Sequence, residues 1–257
     1  MRLYQDGEWF DAVPLGSTYE AEFESLVQQH AASLFPGFMA ARFDPLFRTP
    51  LGDVKPDMVL VDREYRSWYI VEVELSTHSI TRHVKPQVEK IQAARPAAEH
   101  ADWLVDRDDS WDRARLRRLM TDVPHATLLL ANGPTPHWDD ALGTLPGIIR
   151  GVVEVYRSHL NRTILRVNGS QPQTPGDLVS GLTPGQGYLA GAYKIDLPSS
   201  LPTGVQKIDA IMDGDPIQYR VKKIGADRYL FPVPASVLPG RSARLMAGQS
   251  SIYRIEE

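Results

Sequence analysis

Apolar and polar positions along this chain group into runs that mark out its elements. Near the start, "RLYQDGEWFDAV" places Asp6-Gly7 between two short runs, which predicts a small hairpin with those residues as its turn. Ser17 follows, with Glu20 three residues on, a capping-box pattern that predicts a helix opening at Ser17. Phe23, Leu26, Val27, Ala31 and Leu34 give that helix an apolar stripe, and Pro36-Gly37 predicts its end. "FMAARFDPLF" reads as a strand interrupted at Pro45. "DMVLV" is a continuous apolar run, typical of a strand buried on both faces, and "SWYIVEVEL" is a second strand. "ITRHVKPQVEKIQAARPAAEH" predicts a helix with Pro86 in a first turn or at a kink, and "SWDRARLRRLM" a second, strongly basic helix. "HATLLLANG" is a buried strand closed by Asn132-Gly133. "GIIRGVVEVYRSHL" and "RTILRVNG" fit either strands or a helix.

The character changes from about Val167. "NGSQPQTPGD" is polar and rich in Pro and Gly, as linkers and loops are. Short strand candidates follow, "GYLAGAYKIDL", "PIQYRVKKI", "DRYLFPV" and "SSIYRI", separated by turn residues at fairly regular spacing. That spacing predicts a β-rich second domain over 167–257, a small barrel or sandwich, after a first domain over 1–166. Gly185, Gly187 and Gly191 sit at the wrong spacing for a dinucleotide loop and lack a βαβ context, so they read as turn glycines.

Three acids stand out against this pattern. "KPDMVLVDREYRSWYIVEVELS" carries Asp57, Glu72 and Glu74 in an otherwise apolar pair of strands. Side chains alternate across a strand, so Tyr69, Val71, Val73 and Leu75 point one way, while Trp68, Ile70, Glu72 and Glu74 point the other. One face is apolar throughout; the other begins apolar and turns acidic, as a strand end emerging into a cleft would. If Asp62 pairs with Ser67 across "DREYRS", antiparallel register sets Asp57 opposite Glu72, with Glu74 on the same face. Such a trio is unfavourable alone, because like charges repel and burial raises carboxylate pKa values. A divalent cation reverses the sign of the effect, and Mg²⁺, with Mn²⁺ as a substitute, suits one or two carboxylates plus waters. The alternative reading is a solvated strand face, the usual setting of two acids at i and i+2.

Composition narrows the chemistry. The 257 residues include no cysteine, which excludes disulfides, thiolate nucleophiles and cysteine-based metal sites, and is compatible with a reducing cytoplasm. The net charge of −4 argues against electrostatic coating of nucleic acid, so any nucleic-acid contact must come from a local patch. No apolar stretch is long enough to span a bilayer, so no membrane partner is expected, and "MRLYQDGEWF" has no apolar core of a secretory signal. Neither a phosphate-binding "GxxxxGK[ST]" loop nor an "HExxH" motif occurs. Trp103, Trp111 and Trp138 read as core or loop-packing residues.

"KPD", a hairpin, "VEVELS" and a helix containing "HVKPQVEK" together resemble the PD-(D/E)XK nuclease superfamily over roughly Ser17 to Gly133. The resemblance implies an α/β (α+β) fold: a restriction-endonuclease-like central mixed sheet flanked by helices. It also implies a Mg²⁺-dependent nuclease that hydrolyses DNA, in defence against foreign DNA or in repair. Asp57 and Glu72 match the family's metal-binding acids. Glu74 stands where lysine is usual, although some restriction-enzyme branches carry glutamate there. A glutamate at that place must act as a base or as a further ligand for a second metal. Glu20 and Glu24, one turn apart, match an acid of the first helix that points to the metal; Glu20 is favoured for its alignment with the Phe23/Val27 stripe, and helix capping is its competing role. Gln87 matches a glutamine of the following helix, with Ile91 in place of the usual aromatic residue. His83, one turn earlier, is placed to touch a phosphate or is an ordinary surface histidine.

Arg82, Lys85 and Lys90 on that helix, and Arg113, Arg115, Arg117 and Arg118 in "RARLRR", are candidate phosphate contacts. For the arginine cluster the competing reading is a solvated face paired with Asp106, Asp108, Asp109 and Asp112. The C-terminal part would bind DNA, a protein partner or a second copy of the chain. The second functional reading is a nuclease fold that has lost its chemistry and serves as a DNA-binding or protein-interaction module.

Overall fold

Asp62 sets the central hairpin. Its buried carboxylate accepts the backbone N–H groups of Glu64 and Arg66, each at 3.1 Å, and the Arg66 guanidinium at 3.0 Å. Tyr65 takes a left-handed φ of 53° within this turn. The result in the computed structural model, which describes residues 1–143, 145, 147–185, 192–196, 199, 201, 205–233, 242–248 and 252–256, is a tight reversal between strands β4 (Met58–Asp62) and β5 (Trp68–Glu74).

The chain divides into two units, Met1–Leu142 with Ile148–Pro172, and Gly143–Gly147 with Gln173–Glu257. In the first, the elements run β1 (Arg2–Gln5), β2 (Glu8–Ala12), α1 (Glu20–Leu34), β3 (Phe38–Arg42), β4, β5, α2 (Lys85–Ala93), α3 (Ala98–Val105), α4 (Arg113–Asp122), β6 (Ala126–Ala131), the short α5 (Asp139–Leu142), β7 (Ile148–Ser158) and β8 (Thr163–Gly169). The sheet order is β1-β2-β7-β6-β5-β4-β3, with β8 on β7. Strands β3, β4 and β5 are antiparallel to one another, whereas β5–β6 and β6–β7 are parallel. This is a central mixed sheet with helices on both faces. Phe23, Val27 and Ala31 of α1 pack on Tyr69, Val71, Leu128 and Val153. Ile91, Ala101, Leu104, Leu116 and Leu119, from α2, α3 and α4, pack on Val59, Val61, Trp68 and Ile70. Every residue of β4, β5 and β6 is buried, which is why these strands read as unbroken apolar runs.

Several predicted boundaries move. Helix α1 opens at Glu20 with Tyr19 as its cap, and the Ser17 hydroxyl instead donates to the Pro14 carbonyl. No Ser17–Glu20 capping box forms, which leaves the Glu20 side chain free for other work. The helix predicted through "ITRHVKPQVEKIQAARPAAEH" is three pieces: a π turn at Ile80–Val84, then α2, then α3. Pro86 sits in the first turn of α2, where its missing N–H costs nothing. Ala94 and Ala97 are extended on either side of Arg95-Pro96, and α2 ends just ahead of that pair, as helices usually do at or before the residue preceding a proline. The undecided segments are strands β7 and β8. Since β8 continues to Gly169 in register with Gly151, the division of the chain falls at Pro172/Gln173 rather than at 166/167. Gly169 has a φ of +80°, and a Cβ there would lie 2.8 Å from the Arg150 carbonyl.

In the second unit, strands β9 (Leu178–Pro184), β10 (Tyr193–Ile195), β11 (Lys207–Met212), β12 (Asp215–Ile224), β13 (Asp227–Val233), β14 (Ala243–Ala247) and β15 (Ile252–Glu256) close a barrel in the order β10-β13-β12-β11-β15-β14-β9. Of the two expected architectures, the barrel is present. Strand β11 shows the reason in miniature: exposed and buried residues alternate strictly, with Ile208, Ala210 and Met212 inside beside Tyr219, Leu230 and Leu245. β15 pairs parallel with β11 on one side and antiparallel with β14 on the other, and so completes the ring. Gly185 pairs its N–H with the Ala192 carbonyl at 2.8 Å; Gly187 and Gly191 lie outside the described residues.

Candidate metal centre

The Asp62 turn propagates along the hairpin. Asp62 N–H donates to the Ser67 carbonyl at 3.0 Å, and the ladder continues to Met58 opposite Val71. One residue before the last pair of the ladder, Asp57 N–H also donates to the Val71 carbonyl at 3.3 Å, and Asp57 weighs most among the charges acting on Glu72, so the two acids are neighbours. The Asp57 carboxylate is fixed by the backbone N–H of Val73, 2.7 Å from Oδ2. Glu72 and Glu74 lie on the face of β5 that begins with Trp68 and Ile70, and they are only 3% and 0% exposed. Gln87 reaches down from α2 and donates its amide to Glu72 Oε1 at 2.7 Å.

Burial and mutual repulsion govern this group. Desolvation pushes Asp57 up to about 7, with Glu24, Glu20 and Glu74 adding to the rise and the Val73 N–H opposing it. Glu72 is held well above the usual carboxylate range, first by burial and then by Asp57 and Glu74. Burial raises Glu74 to about 7 against the pull of His83. Glu24 is raised by burial and by Glu20, with Arg42 and Lys55 pulling the other way. Among the charges acting on Asp57, Glu24 weighs more than the predicted Glu20.

Glu20 belongs instead to a second grouping at the end of β5. His78 Nδ1 lies 2.6 Å from Glu74 Oε2 and 3.7 Å from Glu20 Oε1. His83 Nε2 lies 3.3 Å from Glu74 Oε1. One ligand atom from each of Glu20, Glu74, His78 and His83 lies within 4.8 Å of every other. Local structure places both histidines. Asn132, at the end of β6, accepts the Ser76 N–H on Oδ1 at 2.7 Å and pins the turn in which His78 N–H bonds to the Leu75 carbonyl. His83 rides on the π turn, whose Ser79 hydroxyl accepts the Arg82 N–H and whose end is an i-to-i−5 bond from Lys85 N–H to Ile80.

The donor set fits a divalent ion. Glu72 Oε2 and Glu74 Oε1 are buried oxygens with no hydrogen-bond partner among the described residues. A buried carboxylate oxygen without a hydrogen bond is costly when charged, and a bound cation removes that cost; Glu74 Oε1 has only His83 Nε2, at 3.3 Å, beside it.

The basic candidates separate. Arg82 lies on the π turn and is exposed, and its side chain makes no ion pair among the described residues. Lys85 is paired with Glu89, and Lys90 reaches the Asp53 carbonyl at 3.3 Å. The "RARLRR" cluster is spent on its own surroundings. Arg113 pairs with Asp102 and Asp106, and Arg117 with Asp102. Arg115 donates to the Glu64 carbonyl at 2.6 Å and lies over Tyr65, and Arg118 stands 3.9 Å from Asp122. Glu64 and Tyr65 form the hairpin turn, at the opposite end of β5 from Glu74, so Arg115 does not face the acids. Asp112 does not pair with these arginine side chains; it caps α4 through the Arg115 N–H. Trp111 and Trp138 are buried, and Trp103 is stacked under Arg107. His78 escapes a reading of the sequence because it lies in an aperiodic turn; its only signal is a second histidine, His83, downstream of the acids. No protein-family model, curated protein or solved structure matches this chain.

Proposed function

We propose that the first unit is a metal-dependent nuclease of the PD-(D/E)XK type, hydrolysing DNA phosphodiester bonds with a Mg²⁺-class ion held at Asp57 and Glu72. The observation that carries this reading is the buried neighbourhood of Asp57 and Glu72 at the end of the β4–β5 ladder, where one Glu72 oxygen makes no hydrogen bond among the described residues. Two further features support it. The order α1, β3, β4, β5, α2, β6 follows the helix, strands with a hairpin, helix and further strand that the resemblance implies, with α3 and α4 added between α2 and β6. Gln87 stands on Glu72, where the same resemblance places a glutamine. Defence against foreign DNA or repair is the setting such an activity would serve.

The chemistry supplied by the bound ion is charge: polarisation of a phosphoryl oxygen and acidification of a water. The protein's own part is positional. The Val73 N–H and the Gln87 amide hold one oxygen each of Asp57 and Glu72, so both carboxylates are oriented before any ligand arrives. Glu74, in place of lysine, is an acceptor whose raised affinity for a proton suits it to take one from water near neutral pH. Arg82, exposed and unpaired among the described residues, is available to a phosphate.

The test is incubation with plasmid, linear and single-stranded DNA in Mg²⁺ and in Mn²⁺. Wild-type protein should cleave at least one substrate. Asp57→Asn and Glu72→Gln should fall to background, and Glu74→Gln by about 10²- to 10⁴-fold. Cleavage that survives Glu72→Gln would overturn the assignment. DNA binding with no cleavage would favour the second reading, a nuclease fold that has lost its chemistry and serves as a binding module.

A further inference from the structure

We infer that Glu20, Glu74, His78 and His83 form a mixed nitrogen–oxygen site for a late first-row divalent ion of the Zn²⁺ class, distinct from the all-oxygen position at Asp57 and Glu72. The donors come from four places: the first turn of α1, the end of β5, the turn after it, and the π turn before α2. Ligands about 2.0 to 2.2 Å from a zinc ion lie roughly 3.4 Å apart in a tetrahedron. Every pair of donor atoms lies within 4.8 Å, and three of the contacts, 2.6 and 3.3 Å to the two oxygens of Glu74 and 3.7 Å between His78 and Glu20, lie around that value.

Histidine pairing alone leaves two observations unexplained. Glu74 is fully buried, yet its Oε1 makes no hydrogen bond, although His83 Nε2 is 3.3 Å away. An imidazolium seated there as a simple partner would be expected to close that bond. The second observation is the π turn, a rare conformation that recurs at functional sites and that here carries one of the four donors. Donor type then selects the ion. Imidazole favours Zn²⁺, Co²⁺ and their neighbours, whereas Mg²⁺ prefers carboxylate and water. The site stands on its donors alone. If the nuclease reading also holds, a dication at Glu74 would take over from the free carboxylate as the group that acts on water, and would restore positive charge at the position where the resemblance expects lysine.

The test uses the full chain without an affinity tag, stripped with chelator and titrated with Co²⁺ and Zn²⁺ in excess Mg²⁺. Visible Co²⁺ absorption and metal content after dialysis are the readouts. One ion per chain should be retained despite Mg²⁺. The His78→Gln/His83→Gln double variant, shown to be folded by circular dichroism and melting, should bind more than about 100-fold more weakly. Asp57→Asn should leave Zn²⁺ affinity within about threefold. Displacement by Mg²⁺, undiminished binding by the double variant, or no binding by wild type would each overturn the site. DNA cleavage is scored separately. A chain that holds Zn²⁺ but cuts no DNA keeps this site and removes the nuclease reading; one that cuts DNA equally well with both histidines replaced, and holds no Zn²⁺, does the reverse.

Discussion

Asp57, Glu72 and Glu74 place three acids where burial and mutual repulsion oppose their charge, and stability should record it. An acid whose folded pKa is raised stabilises the fold fully below its ordinary value and loses that contribution as pH rises to the raised value. For Asp57 and Glu74 the window runs from 3.8 and 4.5 up to about 7. Chelator-treated protein should therefore lose stability as pH rises from about 4.5 to 7, on the order of 1 kcal/mol per pH unit for each such group. Asp57→Asn should flatten the slope, and Mg²⁺ should restore stability at the upper end. Melting temperatures across that range check this, and equal slopes for wild type and variant would rule it out. These acids were legible in the sequence because a strand has period two and the hairpin turn fixes the count. His78 was not, since a turn has no period to betray which way a side chain points. Glu20 was half legible: its helix and its site were predicted, but its companions are His78 and Glu74 rather than Asp57.

The connection from β5 through the turn and the π turn into α2 carries most of the site, and Asn132 is its anchor. The side chain is buried and bonds both to Ser76 N–H and, through Nδ2, to the Leu15 carbonyl at 3.4 Å. Asn132→Ala should cost about 1 to 3 kcal/mol, through the two backbone groups it leaves unmatched. Because the turn bearing His78 is then unpinned, Zn²⁺ affinity should fall more than stability alone explains; calorimetry with both wild type and variant would separate the two. Gly169→Ala tests a different junction. It places a side chain at positive φ and against the Arg150 carbonyl, so a loss of about 2 kcal/mol or more is expected in chemical denaturation. Element legibility followed burial. Strands β4, β5 and β6, covered on both faces, appear in the sequence as apolar runs that nothing else imitates. Strand β7 was ambiguous because its identity comes from pairing with β6, a neighbour its own sequence does not contain. The break between α2 and α3 was hidden by apolar residues whose helical spacing runs on across Pro96.

At the scale of the molecule, three cores divide cleanly by unit. Two flank the mixed sheet, and the third fills the barrel with residues drawn from Val179 to Ile255. A chain ending at Pro172 should therefore fold on its own, melt cooperatively and retain metal binding; an unfolded or aggregated fragment would contradict that separation. The barrel's ring depends on β15, which is held between β11 and β14. Ribosomes deliver that strand after every one of its neighbours, so the nascent barrel waits as an open sheet with two raw edges. A premature stop before Ile252 would make that interval permanent, and the expected product is a sticky, sheet-edged species prone to self-association rather than a slightly shortened protein.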